Sequence, residues 1–228
     1  MSAAIGIVAN EPSGDLLGAA LVRALRELLP GVRFVGVAGP RMIAEGCTTL
    51  MPQERLSVMG LVEVLRVLPD LLRARAGLVR YFAAKPPAVV IGVDAPDFNL
   101  GLERRLRARG IPTVHLVSPT VWAWRPGRVK GIRRSVDLLL CIFPFEEAFL
   151  REHGIDAHYI GHPLADEIPL EDQGAAARAE LGIAASDVVV ALLPGSRRSE
   201  VSRLAAPMLE TARWCQRHRP GLRFVVPM

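Results

Sequence analysis

Short apolar runs recur at residues 3–9, 33–38, 88–93, 113–117, 136–142 and 158–160. Between them, at 14–29, 69–84, 100–109, 128–135 and 146–153, apolar positions return every three or four residues. Nearly continuous apolar runs predict strands buried on both faces, and the three-to-four spacing predicts helices laid over them. Strand and helix in alternation is the pattern of the α/β class, a parallel sheet covered on both sides. Several of these strands end in loops rich in Gly, Pro, Asp and Ser, the end of the strand where open α/β sheets bind ligands.

The pattern is interrupted at 163–174, a polar, acidic stretch carrying Pro163 and Pro169, which reads as a domain boundary. A second α/β unit then begins: helix 175–181, strand 187–193, helix 199–217, strand 223–226. The expected organisation is a first domain at 1–168 and the beginning of a second at 169–228. One βαβ unit has too few strands to bury both faces of its sheet, so this second domain is expected to be incomplete.

Residues 56–82 stand apart. Leu61, Val64, Leu65, Leu68, Leu71 and Leu72 keep helical spacing, yet Val58, Met59, Val62 and Val67 make the stretch apolar nearly all round. Pro69 is expected to end one helix and start the next. Core packing is one reading. The other is an exposed patch flanked by Arg66, Arg73, Arg75 and Arg80, suited to an acyl chain or an anionic membrane surface.

Composition narrows the classes. The net charge of +5 is carried by arginine, since lysine occurs only at 85 and 130. That is either a solvated surface or an attraction to anions, phosphorylated substrates or membrane. Three tryptophans and two tyrosines are too few for a nucleic-acid stacking platform. Cys47, Cys141 and Cys215 make neither a metal-ligand spacing nor a disulfide framework, which points to a reducing cytosol. Residues 1–9 lack the basic start of a signal peptide, and the longest charge-free stretch, 111–124, is too short to span a bilayer.

Five strand-end loops carry the candidate chemistry. In EPSGD at 11–15, Ser13 and Gly14 present N–H groups to an anion or a sugar hydroxyl. Ser13 or Asp15 serves equally as a helix cap, whereas Glu11 has no capping role and points to substrate. Only Gly14 and Gly18 are present here, so the dinucleotide fingerprint is missing. In DAPDFN at 94–99, Asp94 stands at the strand end, placed to take a proton from an attacking hydroxyl; Asp97 and Asn99 also suit a turn. Trp122 and Trp124 form an apolar wall rimmed by Arg125, Arg128 and Lys130, and His115 reads as a core histidine. His162 faces the expected interdomain cleft as ligand or hinge. In LLPGSRRSEV at 192–201, Gly195, Ser196 and Arg197 make a strand–turn–helix site for a diphosphate, joining helix-start N–H groups to a guanidinium.

Taken together, EPSGD at 11–15, VGVAGPRM at 35–42, VMGLVEVL at 58–65, DAPDFN at 94–99, VSPTVWAWR at 117–125, FPFE at 143–146, IGHP at 160–163 and LLPGSRRSEV at 192–201 resemble the lipid-A-disaccharide synthase family, glycosyltransferase family 19. The resemblance implies a GT-B-like fold of two Rossmann-like domains. It implies an inverting transfer joining UDP-2,3-diacylglucosamine to 2,3-diacylglucosamine 1-phosphate (lipid X), with no metal and no cofactor. In that frame Asp94 is the general base, and Glu11, Ser13 and Gly14 lie near the donor sugar. Gly195, Ser196 and Arg197 hold the diphosphate, and Asn99, Trp122 and His162 complete the substrate-binding set. Val58, Met59, Leu61, Val62, Leu65, Leu68 and Leu72 meet acyl chains and the cytoplasmic face of the inner membrane. A homodimer through the second domain is implied, no nucleic-acid partner is, and a chain ending at Met228 is expected to be inactive by itself. A lipid-binding module without catalysis, or another UDP-sugar enzyme such as an epimerase, remains the alternative.

Overall fold

The run AIGIVA becomes β1 (Ala4–Ala9), the strand around which the first unit is built. In the computed structural model, which describes residues 3–56, 61–124, 126–195 and 198–227 without the side chains of 61–66, 124, 126, 198 and 199, six further strands join it. They are β2 (Arg33–Val37), β3 (Thr48–Thr49), β4 (Val89–Val93), β5 (Thr113–Leu116), β6 (Leu138–Cys141) and β7 (Ala157–Tyr159), in the order β3-β2-β1-β4-β5-β6-β7. Every neighbouring pair is parallel. The crossovers carry α1 (Pro12–Leu28), α2 (Pro40–Ala44), α3 (Leu61–Ala84), α4 (Pro96–Arg107), α5 (Val121–Trp124), α6 (Val129–Ser135) and α7 (Pro144–Glu152).

Side chains of successive strand residues point to opposite faces, and each face has its own core. Ile5, Ile7 and Ala9 meet Leu17 and Val22 of α1 and Met42 of α2. Val8 and Val90 meet Leu78 and Phe82 of α3 and Leu102 of α4. Gly6 falls on this second face where Phe82 crosses: a Cβ there would stand 2.9 Å from the ring. A third cluster, with Ile132, Leu139 and Leu150, closes the β6–β7 end.

One local expectation is corrected. Pro69 does not divide the helical segment, because α3 runs unbroken through it. The proline lies on an exposed stretch with Leu68 and Asp70. The edge strand β3 is not foreseen from the sequence: two residues long, it is too short to leave an apolar run.

The chain divides into two compact units, Met1–Glu167 and Ile168–Met228. The second holds α9 (Gly174–Glu180), β8 (Val188–Ala191), α10 (Arg198–His218) and β9 (Leu222–Val225), with β8 and β9 paired in parallel; the four-residue α8 (Leu164–Glu167) closes the first. Val188, Val190 and Leu193 of the second unit are exposed. Among the described residues, no helix is long and apolar enough to cross a membrane.

Cys47 and Cys141 are buried and unbridged. Burial, reinforced by Asp15 for Cys47 and by Glu146 for Cys141, pushes both thiols up to about 12. The thiolate is the reactive form, so alkylation at pH 8 followed by peptide mapping is expected to label these two only after unfolding. Label on either in the native protein would contradict the burial.

Candidate active site

The strand order reverses between β1 and β4. The chain leaves β1 toward β2 on one side and leaves β4 toward β5 on the other, which opens a crevice at the carboxyl ends of this pair. Asn10 and Glu11 follow β1, and Asp94, Ala95, Pro96, Asp97 and Phe98 follow β4. They line one cavity of about 400 Å³ together with Leu56, Leu68, Leu71, Leu72 and Arg75.

Backbone strain concentrates here. Among the described residues the non-glycine positions with positive φ are Asp94 (53°), Ala95 (44°) and Val117 (81°), at the carboxyl ends of β4 and β5. Such conformations cost about 1–3 kcal/mol each and persist only where the surroundings enforce them. The enforcement is visible. Asn99, with no exposed surface, donates its Nδ2 to the carbonyls of Val8 (3.3 Å), Val93 (3.2 Å) and Asp94 (2.8 Å). Asp94 N donates to Leu116 O at 2.8 Å, and Val117 N to Leu140 O at 3.0 Å. Below this layer His115 Nδ1 lies 2.8 Å from Glu103 Oε1, both side chains fully buried. Gly92 makes room for them, since a Cβ there would come within 2.2 Å of Glu103 Oε1. His115 is thus the core histidine expected of it. Asn99 is completely buried and its amide acts on the turn.

Asp94 itself is half-buried and borders both the leucine-walled cavity and a second one of about 310 Å³ formed with the 117–121 loop and Arg128. Asp97 is exposed and pairs with Arg128. Glu11 occupies the N-cap of α1 without capping it through its side chain, while its carbonyl accepts from Gln53 Nε2 at 2.8 Å. Ser13 is exposed in the first turn. Gly14 is buried where α1 passes β4, its missing Cβ 3.3 Å from Val93 O. Asp15 does not cap its own helix. Its carboxylate accepts from Arg41 N (2.9 Å) and Met42 N (3.1 Å), the first turn of α2.

Trp122 is 43% exposed, stands edge-on to Phe145 and donates Nε1 to Glu146 Oε1 at 3.3 Å. Burial holds the Glu146 carboxyl above its ordinary range, against the hydrogen bonds from Phe143 N and Trp122. His162 Nδ1 accepts from Leu164 N at 3.2 Å, capping α8. Leu68 and Leu72 keep two fifths of their surface exposed. Gly195 has φ 117° and belongs to the second unit, beside an apolar hollow with Leu193 and Val201. Ser196, Arg197, Val58 and Met59 lie outside the described residues, as do the side chains of Leu61, Val62 and Leu65. So within the first unit the cavity brings together Glu11, Asp94, Leu68 and Leu72; Ser13, Trp122 and His162 are not among its lining residues.

Sequence reasoning missed Gln53, Phe98 and the placement of Arg75. For Arg75 the signal was present: it falls three or four residues from Leu71, Leu72 and Leu78, a charge on the apolar face of its helix.

A family model described as lipid-A-disaccharide synthetase matches residues 5–228. The lipid-A-disaccharide synthase of Pseudomonas aeruginosa (strain UCBPP-PA14) is 56% identical over 223 residues, 98% of this chain, and the chain spans 59% of that relative's length. Among solved structures, UDP-GlcNAc 2-epimerase from Neisseria meningitidis bound to UDP-GlcNAc superposes with a TM-score of 0.59 at 12% identity, covering 100% of this chain and 66% of that one. The glycotransferase of kitacinnamycin does so with 0.58 at 14%, with the same coverage. These two likenesses are of fold alone: GT-B-like, a Rossmann-like parallel sheet followed by a second βαβ unit.

Proposed function

Because this chain belongs to the lipid-A-disaccharide synthetase family, we propose that it forms part of an inverting glycosyltransferase of lipid A biosynthesis, one that joins UDP-2,3-diacylglucosamine to 2,3-diacylglucosamine 1-phosphate and releases UDP. The first unit takes the acceptor and its lipid, and the second begins the nucleotide-sugar site. The observation that carries the reading is Asp94, a carboxylate held on a strained turn at the switch point, facing a cavity with a leucine wall.

In the proposed reaction Asp94 accepts the proton of the acceptor 6-hydroxyl as that oxygen bonds to the anomeric carbon of the donor. The bond from that carbon to the diphosphate breaks, and UDP leaves with the electron pair. Inversion follows from attack opposite the leaving group. Gly195, Ser196 and Arg197 are assigned to the diphosphate, where N–H groups and a guanidinium stabilise the leaving charge. Leu68 and Leu72, with Val58, Met59, Leu61, Val62 and Leu65, are assigned to acyl chains and to the cytoplasmic surface of the inner membrane. Neither metal nor cofactor enters the scheme, and a homodimer of the protein at its natural length is part of it.

The test is UDP release from UDP-2,3-diacylglucosamine by the protein at its natural length, with and without the acceptor. Release that requires the acceptor is expected. Release without it would point to hydrolysis or epimerisation, and acceptor binding with no release would leave a lipid-binding module.

A further inference from the structure

Arg75 lines the cavity and, among the described residues, has no carboxylate as an ion-pair partner. It shares the inward side of α3 with Leu71 and Leu78. Its guanidinium lies 4.9 Å over the Phe98 ring, and Nη2 donates to the Asp97 carbonyl at 2.9 Å. Nε is buried and, among the described residues, has no hydrogen-bond partner. Space has been kept for the group: a Cβ on Gly101 would stand 2.9 Å from its Cζ and Nη1.

The charges around it leave a deficit of anion. Among the described residues no carboxylate forms an ion pair with Arg75, and the Asp97 carboxylate is taken by Arg128. Burial first, then Arg105 and Arg104, press the Arg75 pKa below the ordinary arginine range, with Asp97 partly opposing them. A guanidinium stays protonated under such pressure, so the site carries an under-compensated positive charge. The other carboxylates on the cavity are Glu11, which is itself partnered, and Asp94. The same cavity is lined by Leu56, Leu68, Leu71 and Leu72. An occupant that satisfies both features is apolar over much of its length and carries an anionic group for a planar, two-pronged donor.

We propose that Arg75 is the anion-recognition residue of this cavity and binds the phosphate ester of an acylated ligand. The inference rests on the transferase reading, in which that ligand is the acceptor and the anion its 1-phosphate. A membrane phospholipid presents the same chemistry, and the experiment separates the two.

The protein at its natural length is assayed in neutral detergent with 2,3-diacylglucosamine 1-phosphate and with its dephosphorylated counterpart. In Arg75→Gln the preference for the phosphorylated acceptor, as a ratio of kcat/KM values, is expected to fall about 10- to 100-fold, the worth of a charge-assisted bidentate contact. The fall should reside mainly in KM. Arg75→Lys keeps the charge without the fork and should show a smaller fall. An unchanged ratio overturns the proposal, because general damage to the site lowers both acceptors alike. A defect seen only on anionic vesicles overturns the acceptor assignment in favour of a membrane lipid. Should the wild type turn over neither acceptor, the transferase reading fails separately, and the binding preference of wild type and variant for the two ligands still decides the role of Arg75.

Discussion

Asp94→Asn, in the protein at its natural length, lowers turnover by about 10²- to 10⁴-fold, the range for loss of a general base, while calorimetric binding of UDP stays near the wild-type value. The substitution is nearly isosteric and leaves the backbone bonds of the turn, Asp94 N to Leu116 O and Asn99 Nδ2 to Asp94 O, in place. What it removes is the ability to take a proton. Turnover near the wild-type rate would reassign the base. Asp97 and His162 are the next candidates, although the first already pairs with Arg128 and the second already accepts from Leu164 N.

Asn99→Asp is expected to destabilise the fold by about 3–5 kcal/mol, the scale of an uncompensated buried charge, and to appear as a lowered Tm. The wild-type amide points its NH₂ at three carbonyl oxygens; the introduced carboxylate would set a negative oxygen against all three. Lowering the pH protonates that carboxyl and restores one donor, so the Tm gap to the wild type should narrow toward acid. The sign follows from linkage: a carboxyl whose ionised form is disfavoured only in the folded state regains stability as it binds its proton. A gap of equal size at every pH would mean that the Asn99 amide is not the clamp on the turn.

The strands were legible because a parallel sheet buries both faces of each one, leaving apolar runs such as AIGIVA and VVIGV. Asp94 was legible for a related reason, as a polar residue directly after such a run. What local pattern could not reveal were interactions between distant segments. Asp15 reads as a cap for the helix it belongs to, yet its carboxylate serves the helix that begins at Pro40. Asn99 reads as a turn residue, and only the meeting of β1 with β4 shows that its amide faces the carbonyl of Val8. Pro69 carries a strong breaking tendency that tertiary packing overrode. The loop at 192–201 is assigned to the diphosphate by proposal, and its Ser196 and Arg197 rest on the chemistry of the sequence alone.

The all-parallel pairing has a consequence for how the protein is made. Ile5 pairs with Phe34 on one side and with Val89 on the other, so β1 leaves the ribosome well before β4, its partner on that second side. Until β4 emerges, one edge of a strongly apolar strand lies unpaired, and non-local pairings of this kind form slowly and aggregate readily. Synthesis rate and chaperone supply should therefore govern the yield of native protein more than the stability of the finished fold does.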